Sequence, residues 1–488
     1  MGALTKRIAT LEQEYSLHYQ PRHDEKLEGV KTEELCRELF WSVTKNRRLR
    51  ILDVFLENGA RFYLDFGNHP EFAGPETLIR DALIYAKAGE SIMLNACDSV
   101  QKDYECSGFG GTVFLHKIPY SMNLSGQEGE TYVGSHENYL GNRCMSSREY
   151  GRTLLPFLAT RHIFTGGGKP NLDGSFDMLA RAEAINEEFS NNTTGYDRAL
   201  INMRTFLNSK ENHAGEEFRR IHLICGDHLM CPVSEYLRLA TTVAALSLAE
   251  IGVIPVDLKA GESLGILKRV SSDLTLKQKY DAGGENLTAI EIQRRFLDAF
   301  DRTFPKAAEQ LEDPSLEHLV SEWDNILSLL SIENVEERNQ KLFGLLDWVT
   351  IYMFSSRGYD NGESYKKIGQ IYLDFHQIYP KGQLFDKLVQ KGRVRINFLN
   401  GTPIFTEEEI DSAMHSPPAN TRAKARGEQI SRAGENPNQI SVHWERIILY
   451  REDSPTVYHF YADPRDSLCR ISELPPESLS PEHSPINI

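Results

Sequence analysis

Residues 56–76 have the sequence LENGARFYLDFGNHPEFAGPE, and this stretch predicts a β-hairpin with one polar and one apolar face. Its Asn-Gly pair at 58–59 is a strong signal for a tight hairpin turn. After the turn, Arg61, Tyr63 and Asp65 alternate with apolar residues, which is typical of a half-buried strand. We therefore look for chemistry on the polar face of the sheet that contains this hairpin.

A second polar face is predicted near the start of the chain, where residues 7–15 have the sequence RIATLEQEY. Side chains two residues apart on a strand share a face, so Glu12 and Glu14 point the same way. This strand could pair with the strands of the hairpin region. Such pairing would bring Glu12 and Glu14 close to Asp65 and Glu71.

Four carboxylates with Arg61 on the same face would suit a divalent cation and a phosphate. Mg²⁺ in ATP sites is held by a few carboxylates together with phosphate oxygens. An arginine can bind phosphate through bidentate contacts. Alternating charged residues on a strand are, however, more often a solvated sheet face. The spacing leaves both interpretations open.

The rest of the chain predicts an α+β fold built on a largely antiparallel sheet with flanking helices. Helical patterns cover 32–44, 76–96, 235–251 and most of 288–389, and strand patterns cover 111–116, 131–140, 219–226 and 440–461. The composition changes after the Pro-Pro pair at 417–418. The predicted division is a catalytic domain at 1–418, a small C-terminal domain at 419–473, and a disordered tail at 474–488.

The composition excludes several classes of function. A net charge of −16 over 488 residues argues against a general nucleic-acid binder. No run of about 18 apolar residues predicts a membrane span, and the N-terminal residues do not resemble a secretory signal. The seven cysteines contain no CxxC pair, which argues against a zinc site. We therefore expect a cytoplasmic protein with reduced thiols, bound neither to nucleic acid nor to a membrane.

The 56–76 run resembles the signature of the Pup ligases and their sister depupylases, a branch of the glutamine synthetase-like carboxylate-amine ligases. The resemblance extends from about Arg7 to about Asp463, and the later motifs follow in the family's order. These motifs are RIATLEQEY at 7–15, GSHENYL at 134–140, LLPFLATR at 154–161, FRRIHLICGD at 218–227, PPANTRAKARGE at 417–428 and VHWERI at 442–447.

The resemblance implies roles for individual residues, which are carried over by position. Asp65 would be the catalytic base. The implied Mg²⁺ ligands are Glu12, Tyr63 and Glu71, with Glu14 beside them. The implied ATP contacts are Arg61, Gly74 and Trp444, with His136, Glu137, Asn138, Arg422 and Arg426 lining the nucleotide and phosphate region.

The resemblance also implies a reaction. In the family, ATP phosphorylates the γ-carboxylate of the terminal glutamate of Pup, a small modifier, and a protein lysine then attacks the γ-glutamyl phosphate. The short interval 16–57 matches the ligase rather than the depupylase arrangement. The implied function is therefore an ATP- and Mg²⁺-dependent ligase with a small, acidic, Pup-like modifier and protein lysines as partners. The alternatives are a depupylase or deamidase, a phosphotransferase or ligase acting on another substrate, and a non-catalytic binding protein.

The sequence departs from the family pattern at several positions. Glycines that flank the opening carboxylate pair in the family are Thr10 and Ser16 here, and a threonine near the ATP site is Gly74. The segment at 202–215, near the region that handles the modifier's C-terminus, is rewritten. His213 and His222 are interpreted as a loop residue and a strand histidine with satisfied hydrogen bonds rather than as metal ligands.

Overall fold

A mixed arrangement of helices and strands is seen in the structure, which is a computed structural model. It describes residues 2–22, 30–45, 52–65, 67–121, 131–192, 197–207, 213–433, 440–449, 456–460 and 463–473. The predicted tail at 474–488 lies outside the described residues.

The strands are numbered in chain order. They are β1 (Ala9–Glu14), β2 (Ser16–Gln20), β3 (Asp53–Phe55), β4 (Arg61–Asp65), β5 (His69–Ala73), β6 (Thr112–His116), β7 (Tyr120–Ser121), β8 (Thr131–Tyr132), β9 (Ser135–Asn142), β10 (Lys169–Pro170), β11 (Phe176–Asp177), β12 (Ile185–Ser190), β13 (Arg198–Asn202), β14 (Phe218–Leu223), β15 (Lys279–Ala282), β16 (Glu285–Thr288), β17 (Gln377–Tyr379), β18 (Ile440–Val442), β19 (Arg446–Leu449), β20 (Thr456–Phe460) and β21 (Cys469–Glu473).

The helices are numbered in the same way. They are α1 (Thr32–Thr44), α2 (Ile79–Cys106), α3 (Ser147–Leu158), α4 (His162–Thr165), α5 (Arg204–Leu207), α6 (Pro232–Glu250), α7 (Glu262–Ser272), α8 (Ala289–Thr303), α9 (Ala307–Gln310), α10 (Leu319–Leu330), α11 (Val335–Leu342), α12 (Asp347–Asp360), α13 (Tyr365–His376), α14 (Leu384–Gln390), α15 (Glu407–His415) and α16 (Ala423–Ala433).

The central sheet has eight strands in the order β12-β13-β14-β9-β1-β5-β4-β3. The pair β12–β13 is parallel, and the other pairs of this sheet are antiparallel. A three-stranded sheet, β17-β6-β2, continues from the end of β1, and β18 to β21 form a separate four-stranded sheet. The predicted α+β fold with a largely antiparallel sheet is confirmed.

The predicted hairpin is confirmed, and its turn supports the C-terminal part of the chain. Asn58 Oδ1 accepts a hydrogen bond from the Ala60 N–H at 3.1 Å. Gly59 has a φ of 81°, which a residue with a side chain rarely adopts. A Cβ on Gly59 would also lie 3.1 Å from the backbone oxygen of Ala423, the first residue of α16. The turn therefore needs glycine for its own shape and for close packing of α16.

One face of the central sheet is covered by α6 and α2, and the other carries the polar residues. The alternation along β1 decides this, since Leu11 and Gln13 face the helices and Glu12 and Glu14 share the opposite face. Gln13 Nε2 donates a hydrogen bond to Glu235 on α6 at 3.0 Å. The helices thus hold the sheet from behind.

Glu137 belongs to this helix-covered face, and its predicted place in the nucleotide region is wrong. Its carboxylate pairs with Arg161 at 2.5 Å and accepts a hydrogen bond from Tyr139 at 2.6 Å. Its strand neighbours His136 and Asn138 point to the polar face because successive residues of a strand alternate. Glu137 and Arg161 are both buried, so they form an internal ion pair.

The four-stranded sheet falls within the predicted C-terminal domain at 419–473. Helix α16 packs on it through a small apolar cluster of Ala425 and Ile447, with Ile440, Val442 and Leu449 beside them. In the described part of the chain, no helix is long and apolar enough to cross a membrane.

A Glu137→Ala variant is expected to lose about 3–5 kcal/mol of unfolding free energy, because it leaves the Arg161 guanidinium buried without its counter-charge. Guanidinium denaturation followed by circular dichroism measures this loss. The matched control is Glu187→Ala, since Glu187 is exposed on β12 and should change the midpoint little. An unchanged midpoint for Glu137→Ala would contradict the assignment of Glu137 to the packed face.

Candidate active site

The strand register assembles the polar residues of the central sheet into rows. Glu14 on β1 stands opposite Glu71 on β5, and Glu71 stands opposite Tyr63 on β4. On the other side of β1, Glu12 stands opposite His136 on β9. Residues from four separate segments of the chain therefore meet on one face.

The first group, which we call the carboxylate cluster, consists of Glu14, Asp65 and Glu71. One oxygen of each carboxylate lies within 4.8 Å of the others. Glu14 and Glu71 are buried, whereas Asp65 is half-buried at the end of β4. Burial and the charges of Glu12, Glu14 and Asp65 raise the pKa of Glu71 well above its usual value. A divalent cation would relieve this repulsion, so the oxygen-rich cluster fits Mg²⁺.

Tyr63 and Arg61 border the carboxylate cluster on β4. Burial and the neighbouring Glu71 and Glu12 raise the pKa of Tyr63 well above its usual value, so its phenol stays protonated and hydrogen-bonds with Glu71. The Arg61 guanidinium lies 4.5 Å from the centre of the Tyr63 ring. It also donates two hydrogen bonds to Asp53 at 2.7 and 2.6 Å. Asp53 therefore orients the arginine that the sequence assigns to ATP.

The second group, which we call the histidine cluster, consists of Glu12, His136 and His222. Glu12 Oε2 lies 3.7 Å from His136 Nδ1 and 3.5 Å from His222 Nε2. Arg220 contacts the other Glu12 oxygen at 3.2 Å and Asn138 Oδ1 at 3.1 Å. One carboxylate and two imidazoles are a donor set for a divalent cation.

The protonation states in the histidine cluster suit metal binding. Burial would raise the pKa of Glu12, but its contacts with His136 and His222 and the charge of Arg220 hold it well below its usual value. Burial and the charge of Arg220 lower the pKa of His222 to about 4. At neutral pH, Glu12 is therefore ionised and His222 is neutral, which are the forms that ligate metals.

His222 is a member of the histidine cluster, which the sequence interpretation did not predict. The closest charged partner of its Nε2 is Glu12 Oε2, at 3.5 Å. The signal lay in its alternation with Arg220 on β14, which puts both residues on the polar face. His213, by contrast, is a loop residue as expected, and its Nδ1 lies 3.1 Å from a Glu445 oxygen.

The two clusters adjoin at Gly134. A Cβ placed on this residue would lie 2.7 Å from Glu14 Oε1 and 2.8 Å from His136 Nε2. The Gly134 N–H also donates a hydrogen bond to Glu14 Oε2 at 2.9 Å. The four predicted metal ligands are thus divided, with Glu12 in the histidine cluster, Glu14 and Glu71 in the carboxylate cluster, and Tyr63 at its border. The arrangement fits two neighbouring cations rather than one.

Trp444 and two arginines lie where the C-terminal domain meets the hairpin. The Arg426 guanidinium lies 4.9 Å from the Trp444 ring centre and 5.2 Å from that of Phe55. Arg426 donates a hydrogen bond to the Gly59 carbonyl at 2.8 Å. The Trp444 and Phe55 rings meet edge to face at 5.0 Å.

Glu76 anchors both arginines of the PPANTRAKARGE motif, a role that local sequence patterns did not predict. It pairs with Arg422 at 2.8 Å and also with Arg426. Burial would raise the pKa of Glu76, but the charges of Arg426 and Arg422 lower it to about 2. Arg422 Nη1 remains buried with no hydrogen-bond partner among the described residues. An unpartnered cationic N–H at this place fits an anionic ligand such as a nucleotide phosphate.

Gly74 offers no side chain at its predicted place beside the nucleotide. A Cβ there would lie 2.7 Å from Thr10 Oγ1, which occupies this position on the polar face.

The rewritten segment at 202–215 is described in part, since 208–212 lie outside the described residues. Helix α5 begins within it at Arg204. The Arg204 N–H donates a hydrogen bond to Asn202 Oδ1 at 2.9 Å.

Known structures share this fold. The crystal structure of the complex between the prokaryotic ubiquitin-like protein Pup and its ligase PafA has a TM-score of 0.79 and 24% identity, covering 96% of this chain and 91% of that chain. A structure of the Pup ligase PafA in complex with ADP has a TM-score of 0.72 and 23% identity, covering 92% of this chain and 95% of that one. At these identities, the likeness establishes the fold.

Sequence comparison establishes the family. The model described as Pup-ligase protein matches residues 6–448. A Pup–protein ligase from Acidimicrobium ferrooxidans is 32% identical over 94% of this chain and 96% of its own length. One from Mycolicibacterium smegmatis is 33% identical over 87% of this chain and 90% of its own length. The chain therefore belongs to the Pup-ligase protein family.

Proposed function

We propose that this chain is an ATP-dependent ligase that joins the side-chain carboxylate of the terminal glutamate of Pup to lysines of target proteins. The observation that carries the proposal is the pair of adjoining clusters. The chain that contains them is similar to Pup–protein ligases over nearly the whole length of those relatives. A carboxylate does not react with an amine until one of its oxygens becomes a leaving group. Transfer of the ATP γ-phosphoryl group to a carboxylate oxygen releases ADP and gives the γ-glutamyl phosphate. The deprotonated lysine amine then attacks the acyl carbon, and phosphate leaves as the isopeptide bond forms.

Mg²⁺ bound in the two clusters would supply positive charge to the phosphates and to the incoming carboxylate. Glu12, His136 and His222 would hold one cation, and Glu14 and Glu71 would hold its neighbour. Tyr63 keeps the Glu71 carboxylate oriented through its hydrogen bond. These residues sit on paired strands, so their spacing is fixed before substrate arrives.

Asp65 is assigned as the general base. It belongs to the carboxylate cluster but is more exposed than Glu14 and Glu71, so an incoming lysine can reach it. A lysine ammonium must lose its proton before it attacks, and a carboxylate within hydrogen-bond reach can accept that proton. Burial of Glu14 and Glu71 suits them for holding a cation instead.

The C-terminal domain would complete the nucleotide site. A structural neighbour of this chain is a Pup ligase in complex with ADP. Trp444 offers an aromatic surface for the base or sugar, and Arg422 and Arg426 offer positive charge near the phosphates. Arg61, His136 and Asn138 would contribute from the sheet, together with the backbone at Gly74. A cytoplasmic location, where ATP and reduced thiols occur together, belongs to the same proposal, and no disulfide joins Cys36, Cys97, Cys106, Cys144, Cys225 and Cys231 to one another.

The purified protein, mixed with Pup ending in glutamate, a lysine-bearing target and Mg-ATP, should form a conjugate. Its mass should equal the sum of the two proteins minus one water, and each bond should accompany release of one ADP and one phosphate. Omitting ATP is the control. Release of Pup from a purified conjugate, without formation of new conjugate, would instead identify an isopeptidase.

An Asp65→Asn variant should retain Mg-ATP binding while its ligation rate falls by at least about 100-fold, because the amide cannot accept the lysine proton. Nucleotide binding is measured by calorimetry and ligation by gel shift. Asp257→Asn serves as the control, since Asp257 is exposed and its ion pair among the described residues is with the exposed Arg152. Full ligation by Asp65→Asn would reject Asp65 as the base.

A His222→Gln variant should need about tenfold or more Mg²⁺ for half-maximal activity, since the histidine cluster loses a ligand. Binding of Mn²⁺, followed by electron paramagnetic resonance, should weaken in parallel. His415→Gln is the matched control, because His415 is exposed and its Nδ1 lies 2.9 Å from a Glu57 oxygen, away from both clusters. Unchanged Mn²⁺ binding would remove His222 from the metal site.

A further inference from the structure

Thr10 carries a buried hydroxyl on the polar face of β1 that the reaction described above does not use. Its Oγ1 has no hydrogen-bond partner among the residues that the structure describes. Thr10, Glu12 and Glu14 occupy alternate positions along β1, so their side chains share one face. A buried hydroxyl without a partner is unfavourable unless a ligand or water completes its hydrogen bond.

A second unpartnered group faces Thr10 across the sheet. Thr10 stands opposite Asn138 on β9 in the strand register. Asn138 Oδ1 accepts a hydrogen bond from Arg220, but its Nδ2 is buried without a partner among the described residues. Two neighbouring strands thus direct an orphan hydroxyl and an orphan amide N–H to the same part of the site. Such a pair marks a place where a polar ligand or a bound water can complete two hydrogen bonds at once.

Gly74 also lies beside the Thr10 hydroxyl. A Cβ on Gly74 would lie 2.7 Å from Thr10 Oγ1, which is shorter than a non-bonded contact between these two atoms allows. The Gly74 N–H is already used, since it donates to the Leu11 carbonyl at 2.9 Å. Glycine at position 74 therefore makes room for the hydroxyl, and only one of the two residues can carry a side chain pointing there.

The place of Thr10 along β1 identifies which part of a ligand it meets. Glu12, in the histidine cluster, follows two residues later, about 6.8 Å along the strand. In the other direction, Ala9 bridges to Thr77, next to Glu76, which holds Arg422 and Arg426. The Arg426 guanidinium in turn lies 4.9 Å from the ring centre of Trp444, the residue proposed for the base. Thr10 therefore stands between Trp444 and the residues that would hold the metal-bound phosphates.

We propose that the Thr10 hydroxyl, together with the Asn138 amide, binds the ribose and α-phosphate portion of the nucleotide. This rests on the proposed ATP-dependent function and adds a binding residue to it. Thr10 contributes to affinity rather than to the phosphoryl transfer itself, since the metal clusters and Asp65 lie farther along the strands. Its loss should weaken nucleotide binding and raise the KM for ATP while leaving kcat nearly unchanged.

The test compares Thr10→Val, which keeps the shape but removes the hydroxyl, with Thr10→Ser, which keeps the hydroxyl. Binding of Mg-ADP is measured by calorimetry without Pup or target protein. Thr10→Val should bind Mg-ADP about tenfold more weakly, and Thr10→Ser should stay within about threefold of the parent. Thr112→Val on β6, in a different sheet, is the control and should leave affinity unchanged.

An exchange variant, Thr10→Gly with Gly74→Thr, returns a hydroxyl to the same space from the neighbouring strand. It should recover most of the affinity lost in Thr10→Val, which a purely structural role for Thr10 does not require. Equal Mg-ADP affinity for Thr10→Val and the parent would overturn the proposal, because a water would then satisfy the hydroxyl. Failure of the parent to form conjugates while it binds Mg-ADP would count against the ligase function but not against Thr10.

Discussion

Repulsion among carboxylates is the constraint on which the rest of this site depends. Strand pairing brings Glu14 and Glu71 directly opposite each other, with Asp65 beside them and Glu12 nearby. Glu12 is balanced by Arg220 and two imidazoles, so it stays ionised. Glu71 is buried among other carboxylates, and its raised pKa records the cost of that placement. This accumulation of negative charge would attract cations, and the proposed Mg²⁺ binding rests on it.

That arrangement persists because the opposite face of the sheet is held firmly. Arg161 pairs with Glu137, and Arg238 donates a hydrogen bond to Ser135 Oγ at 2.9 Å, both beneath β9. Arg7, just before β1, pairs with Glu250 at the end of α6. These buried pairs fix the strands relative to the helices. In β1 and β9, one face thus packs against the helices and holds the strand in place, while the other face carries the polar residues of the two clusters. Alternate residues of a single sequence motif therefore point to opposite faces.

This alternation explains what the sequence could predict and what it could not. The hairpin and the shared face of Glu12 and Glu14 depend on neighbouring residues, so local patterns predict them. Division of the ligands into two clusters depends on which strands are adjacent, and β9 and β14 are distant from β1 in the chain. His222 was therefore missed. Glu137 was misassigned because the motif GSHENYL was treated as a unit, although its middle residue faces the helices.

The hairpin also links the two ends of the site physically. The Gly59 carbonyl in its turn accepts a hydrogen bond from Arg426 on α16. Arg61, the first residue of β4, is oriented by its hydrogen bond to Asp53. The far end of the same strand carries Asp65. Strand β4, which is five residues long, thus begins beside the turn that contacts α16 and ends at Asp65. The turn is near the place proposed for the nucleotide base, and Asp65 is the proposed acceptor of the lysine proton. Because α16 packs against the same glycine turn from which β4 begins, the positions of α16 and of Asp65 depend on one hairpin.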